Sequence, residues 1–268
     1  MNNKLMKKNI FQALFLPLFA VFTACGGGTD VETPYTEGVG GLNLQTQAPT
    51  EITIPVVTKA ADFSEISASD FYVAIKDASG AVVKEFAAYS AMVDAGFPLI
   101  LPVGSYTAVA SSYKAGDTKV SSVPYFTDEQ SFEIEEKTTT NVRLVCTYQS
   151  LGVELALSEQ FKAKLEADPH NYDYKVVVST GTTDYAFTKE QMRPGYFLSG
   201  CEELVVTVDV RLGSGDLWYP SRTYRVKNDT GNEVTSPRTG EYYVIRLDVG
   251  ETPEETALKS YLLTEKEH

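Results

Sequence analysis

Histidine is nearly missing from this chain of 268 residues: only two occur, and His268 is the last residue. An imidazole-based metal centre or catalytic triad therefore has one candidate, His170, and sites that need several histidines are excluded. Tryptophan occurs once and cysteine three times. Basic residues are outnumbered, with 23 Lys and Arg against 36 Asp and Glu and a formal net charge of −13. That balance excludes a nucleic-acid partner, because phosphate binding needs a Lys/Arg footprint. The sequence also has no Gly-rich phosphate loop with its Lys and no dinucleotide fingerprint. No cofactor is expected.

Long apolar runs are lacking too. Lys4, Lys7 and Lys8 precede a short apolar stretch, Ile10 to Phe22, interrupted by Gln12 and Pro17. This is the layout of an export signal, and the stretch is shorter than the ~20 residues that span a bilayer as a helix. It ends in Phe22-Thr23-Ala24-Cys25, followed by Gly26-Gly27-Gly28. The junction resembles a bacterial lipoprotein signal, which implies removal of residues 1–24 and acylation of Cys25. It departs from that pattern at Phe22, where an aliphatic residue is usual. The other reading is an ordinary secretory signal with an incidental cysteine. Each buried methylene contributes ~0.8 kcal/mol, and two or more acyl chains make a stable anchor where one does not. Losing the three lysines makes the mature chain more acidic, so lipid would hold it at an anionic surface that its own charge avoids. Residues 25–40, rich in Gly and Thr, suit a flexible tether to the outer membrane.

Beyond the tether, period two dominates. Phe71, Val73 and Ile75 alternate with Tyr72, Ala74 and Lys76; Val142, Leu144 and Cys146 with Arg143, Val145 and Thr147; Leu204, Val206, Val208 and Val210 share another face. Turn residues such as Asp77-Ala78-Ser79-Gly80 separate the runs. Many short strands predict an all-β fold of two tandem antiparallel β-sandwiches, transthyretin-like or immunoglobulin-like, with one or two short helices. The expected N-terminal sandwich covers residues 41–147 and the C-terminal one 148–268. A single elongated fold with one shared core is the alternative. One helix is predicted near 158–166, with Ser158 as N-cap and Phe161 and Leu165 on one face. A second is predicted from Thr252, where Thr252-Pro253-Glu254-Glu255 has capping-box spacing, with Leu258, Tyr261 and Leu262 facing inward. The two halves also run alike. Phe71 to Asp77, Val82 to Phe86 and the stretch from Leu99 to Val109 parallel Tyr174 to Ser179, Asp184 to Thr188 and the stretch from Tyr196 to Val208.

The segment Leu101-Pro102-Val103-Gly104-Ser105-Tyr106-Thr107 resembles the strand entry of transthyretin-like and carboxypeptidase-regulatory-type sandwiches, in which a tight turn leads a tyrosine into the core. The lipoprotein-like start, Val123-Pro124-Tyr125-Phe126, Thr138-Thr139-Thr140 and Arg193-Pro194-Gly195-Tyr196-Phe197 extend the likeness. Together they resemble Bacteroidetes surface lipoproteins with a tandem β-sandwich domain of unknown function, near the fimbrillin-like proteins. The resemblance implies a lipid-anchored, non-enzymatic surface protein of cell adhesion or pilus assembly, whose partners are the membrane, pilus or other surface proteins, or glycans. It carries over no catalytic residues.

Candidate sites are few. Gly213-Ser214-Gly215-Asp216-Leu217-Trp218-Tyr219-Pro220 sets the only Trp and a Tyr beside flexible glycines. Trp218 and Tyr219 could form an aromatic platform for a sugar, with Asp216 and Arg222 bonding its hydroxyls; alternatively, the Trp plugs the end of a sandwich, which is the favoured reading. His170, in Asp168-Pro169-His170-Asn171-Tyr172-Asp173, lacks the Gly turn and closing Glu of a calcium loop and reads as a solvated connection. Glycoside hydrolysis needs two carboxylates across a cleft, and no motif singles out a pair. With Cys25 acylated, Cys146 and Cys201 remain. A disulfide between them is open in an oxidising compartment, but the phase of Cys146 with Val142 and Leu144 favours a small buried hydrophobe.

Overall fold

The computed structural model describes residues 35–47, 63, 66–213, 218–226 and 232–248, and the backbone of 257–262. Seventeen strands and two α-helices run through them in the following order. The N-terminal half contains β1 (Val39–Gln47), β2 (Tyr72–Asp77), β3 (Val82–Phe86), α1 (Tyr89–Asp94), β4 (Leu99–Pro102), β5 (Gly104–Ser111), β6 (Val120–Ser121), β7 (Phe126–Ile134), β8 (Thr139–Val145) and β9 (Thr147–Tyr148). The C-terminal half contains β10 (Leu151–Leu157), α2 (Glu159–Ala167), β11 (Tyr172–Ser179), β12 (Asp184–Phe187), β13 (Gly195–Phe197), β14 (Val205–Leu212), β15 (Arg222–Arg225), β16 (Tyr242–Asp248) and β17 (Ala257–Leu262).

Alternation sorts these strands into two sandwiches. In the first, sheet β4-β1-β8 faces sheet β3-β2-β5-β7-β9. Their inward residues, among them Leu42, Leu44, Val142 and Leu144 from one sheet and Val73, Ile75, Ala108 and Phe126 from the other, form one core. In the second, sheet β17-β16-β10-β13-β6 faces sheet β12-β11-β14-β15. Its core joins Val153, Leu155, Ile245 and Leu247 to Val176, Val178, Val206 and Val208, with Phe161 of α2 closing one side. Each such aliphatic side chain contributes roughly 1.5–3 kcal/mol on full burial. Two separate cores exclude the single shared core.

Topology shows that the halves repeat. β1 pairs β8 in parallel and β4 antiparallel; β10 pairs β16 in parallel and β13 antiparallel. The facing sheets have matching orders, β3-β2-β5-β7 and β12-β11-β14-β15. The two parallel pairings interrupt the otherwise antiparallel plan. A parallel pair needs a long crossover, and here almost the whole of each sandwich lies between its two members.

The predicted turn after Leu101 carries the chain from β4 to β5 and so from one sheet to the other. Tyr106 then turns into the core, 8% exposed, and its hydroxyl donates to the Pro102 carbonyl at 3.0 Å. The helix near 158–166 is α2, with the Ser158 side chain accepting from the Phe161 N–H. The helix expected from Thr252 is not formed at its C-terminal end. Ala257–Leu262 is β17, paired antiparallel with β16 from Tyr243↔Leu262 to Asp248↔Ala257, while 251–256 lie outside the described residues. Edge pairing with β16 overrides the local capping signal.

The halves meet through the connection at 148–152. Ser150 is fully buried: its Oγ accepts from the Tyr125 N–H at 2.7 Å and its carbonyl from the Gly240 N–H at 2.8 Å. Gly152 has no room for a Cβ, which would collide with the Tyr242 ring and the Tyr148 hydroxyl. β6, from the N-terminal half, completes the second sandwich by pairing β13.

Candidate functional site

The loop before β15 holds the predicted aromatic pair. Asp216 lies outside the described residues. Trp218 and Tyr219 diverge. Tyr219 donates its backbone N–H to the Val210 carbonyl and packs its ring against the second core, whereas Trp218 remains 44% exposed. The favoured expectation of a plugging Trp is therefore corrected: its neighbour takes the inward position, where its backbone bond to Val210 holds it. The Trp218 ring lies over the Arg211 guanidinium, 5.7 Å from ring centroid to Cζ. Arg211 is also held by Asp173, with Nη2 3.5 Å from Oδ2, and Lys189 Nζ lies 3.5 Å from the other oxygen of that carboxylate. Arg222 sits half-buried in β15, opposite Val208. The indole thus stands on a guanidinium pinned from behind by a carboxylate, a geometry that fixes the ring and leaves one face to solvent.

The His170 loop is held by its own bonds. Asp168 accepts from the Asn171 backbone and side chain, the latter at 2.6 Å, and these bonds, the side-chain one foremost, lower its carboxyl pKa. Lys189 Nζ donates to the Pro169 carbonyl at 2.7 Å. His170 itself is exposed. Among the described residues no cluster of three or more His, Cys, Asp or Glu could hold a metal ion.

The thiols are separate. Cys146 is fully buried in the first core and Cys201 packs at the margin of the second; both are free. Burial pushes the Cys146 thiol up to about 12 and raises Cys201 as well. Neither environment produces the thiolate that nucleophilic catalysis requires. Cys25 lies outside the described residues, and no helix among the described residues is long and apolar enough to cross a membrane.

A different surface feature was not visible in the sequence. The outer edges of β8 and β16 are equivalent by topology, since each strand pairs its first strand in parallel on one side. The edge of β16 is covered by β17. Among the described residues no strand covers the edge of β8. Its Cys146 end bonds β1 through the Cys146 N–H and the Gln47 carbonyl, so Thr139, Asn141, Arg143 and Val145 direct their backbone groups outward. Among the described residues only the Val145 N–H is taken up there, by Asp128 Oδ2 at 2.7 Å.

A family model described as "Domain of unknown function (DUF4493)" matches residues 38–260. No curated protein matches the chain. Solved structures that do include a candidate cell-adhesion protein from Bacteroides uniformis, with 13% identity, a TM-score of 0.44, and coverage of 73% of this chain and 91% of that one. A fimbrial assembly protein from Parabacteroides distasonis shows 14% identity and a TM-score of 0.38, covering 84% of this chain and 99% of that one. The fimbrial anchor protein Mfa2 from Porphyromonas gingivalis shows 12% identity and a TM-score of 0.39, covering 85% and 100%.

Proposed function

The chain belongs to the family defined by the domain of unknown function DUF4493, and we propose that it is a lipid-anchored surface protein that acts by interaction rather than catalysis, in cell adhesion or pilus assembly. The open edge of β8 carries this reading. A row of outward N–H and C=O groups on a long edge is a template that a partner's strand completes, with main-chain hydrogen bonds supplying affinity. The same edge is closed in the second sandwich by the chain's own β17, so closing strands are available to this architecture, and among the described residues none pairs with β8 there. The lipoprotein-like junction at Cys25 supports a location where such an edge would meet surface partners.

The anchor is tested first. Mass spectrometry of the mature chain should find an acylated Cys25 at its amino end, and Cys25→Ala should move the protein from the membrane fraction to the periplasm. An unmodified amino end on a soluble protein sinks the anchor. The interaction role is tested, with Asn141→Ala as the control that loses the side chain and keeps the N–H, by Asn141→Pro, which removes an outward N–H. Recovery of surface proteins by chemical cross-linking on intact cells should fall in this variant, with thermal stability retained; unchanged recovery removes the edge from the interaction.

A second reading places a glycan on Trp218 alone, since Tyr219 packs its ring against the second core. The solvent-facing indole over Arg211 favours it, and loss of glycan binding in Trp218→Ala is its test.

A further inference from the structure

The outer face of the three-stranded sheet β4-β1-β8 carries a row of amides. Outward positions on β1 are Asn43, Gln45 and Gln47, and those on β8 are Asn141, Arg143 and Val145; the register pairs Asn43↔Asn141 and Gln45↔Arg143. Asn43 Nδ2 donates to Asn141 Oδ1 at 3.1 Å, and Arg143 Nη2 donates to Gln47 Oε1. β4 ends its pairing with β1 at Leu42. Beyond that point α1 and the turn after it stand beside β1. The Tyr89 hydroxyl donates to the Leu44 carbonyl at 2.9 Å and pins them there.

The result is a groove of about 520 Å³ with a floor of Asn43, Gln45, Asn141 and Arg143 and a wall of Val93 and Phe97. Phe97 and Val93 are 36% and 45% exposed, so an aromatic ring and an aliphatic side chain border the polar floor. At the N-terminal end of the face, Tyr35 folds over Gly41, where a Cβ would strike its ring, and bonds Thr139 Oγ1 at 2.6 Å. That part of the sheet is covered, and among the described residues the groove is the part left open.

Among the described residues no carboxylate lines the groove, in a chain whose formal net charge is −13, and Arg143 supplies the one fixed charge there. Each amide offers two donors and an acceptor, and the guanidinium offers donors only. Among the described residues the Gln45 amide has no partner, and the mutual bond of Asn43 and Asn141 uses one donor and one acceptor of the pair. Unspent capacity of both kinds lies on a flat floor whose shape is set by strand register. Adjacent sugar hydroxyls, which donate and accept at neighbouring positions, match that pattern. A sugar's C–H face matches the Phe97 wall, in the manner of pockets that combine apolar walls with a few placed polar groups.

We propose that this groove is an oligosaccharide-binding site, distinct from the Trp218 loop and standing independently of the anchor and of the β8 edge. The shared recognition chemistry is a run of vicinal hydroxyls. Neutral and uronic-acid sugars both carry it, and Arg143 would add affinity only for the second.

The test is an array of neutral oligosaccharides (gluco-, manno- and xylo-hexaoses) and oligogalacturonates probed with the mature chain, followed by titration calorimetry with the strongest binder. Asn141→Ala and Phe97→Ala should each weaken that binding about tenfold or more, the loss of one good hydrogen bond or one packed ring. Trp218→Ala should leave it unchanged. Both groove positions are exposed, and unaltered melting of the variants separates lost contacts from lost folding. If the binder is an oligogalacturonate, Arg143→Gln should weaken it and added salt should mimic the variant; for a neutral hexaose neither should matter beyond a hydrogen bond. No binder on the array, or binding that survives both groove variants or disappears in Trp218→Ala, overturns the proposal. So does a concentration-dependent dimer abolished by Phe97→Ala, which would assign the face to a second copy.

Discussion

Tyr242 stands on a strand of the second sandwich, yet its ring is buried in the core of the first, and its hydroxyl donates to Glu154 Oε2 at 2.9 Å. Tyr196 crosses in the same way, with its ring 6.2 Å from that of Tyr242 and 6.3 Å from that of Tyr148. These three rings fasten the sandwiches together. Tyr242→Phe should cost about 1–2 kcal/mol by leaving Glu154 short of a donor. Tyr242→Ala should cost about 3–5 kcal/mol by opening a cavity. Chemical denaturation monitored by far-UV circular dichroism checks both. The larger truncation should also split a single transition into two, because it loosens one sandwich from the other.

Gly152→Ala tests the same junction from the backbone side. Its Cβ would be driven into the Tyr242 ring and the Tyr148 hydroxyl. Overpacking of this kind costs roughly 1–3 kcal/mol. A melting temperature equal to that of the parent protein would show that the rings yield freely.

The buried phenols set an alkaline limit. Burial raises the pKa of Tyr148, Tyr196 and Tyr242, for Tyr196 to about 12. In the unfolded chain these groups ionise near the usual tyrosine value of about 10. Below that pH both states hold the proton and stability is full. Between it and the folded values the unfolded state binds fewer protons, so stability falls as pH rises. Urea midpoints measured from pH 8 to 11 should be level at first and then decline. Tyr196→Phe, which has no proton to lose, should decline less.

Thiol reactivity should follow burial. In the native mature protein at pH 8, iodoacetamide should modify Cys201 slowly and Cys146 only after denaturation, since burial holds Cys146 near 12. Mass spectrometry of timed samples reads the order. Early labelling of Cys146 would mean that the first core opens on its own.

Period two made most of the strands legible in the sequence. Val142, Leu144 and Cys146 announce an inward face, and all three are buried. Ser158 marked α2 because its cap is local chemistry, written within three residues. By contrast the residue that caps α1 is Ala88, which makes no side-chain cap bond, so no start signal existed to be read. The strand Ala257–Leu262 was hidden behind a capping-box pattern because what makes it a strand is β16, which supplies the pairing from outside the segment. The amide row on β1 and β8 was missed for a related reason. Asn43 and Asn141 become neighbours only through a parallel pairing that joins residues 98 apart. Trp218 and Tyr219 were both named, but which of them turns inward depends on the register of β14 and β15.

The two-residue strand β6 limits how this architecture can grow. Because it leaves its own half to bond β13, the duplication is not a string of interchangeable beads. A gene segment that copied only the C-terminal unit would produce a newcomer whose β13 equivalent lacks a neighbour and would seek one on another molecule. Lengthening such a protein by simple reiteration would therefore carry a penalty in solubility, and the donor strand would have to be copied along with its acceptor.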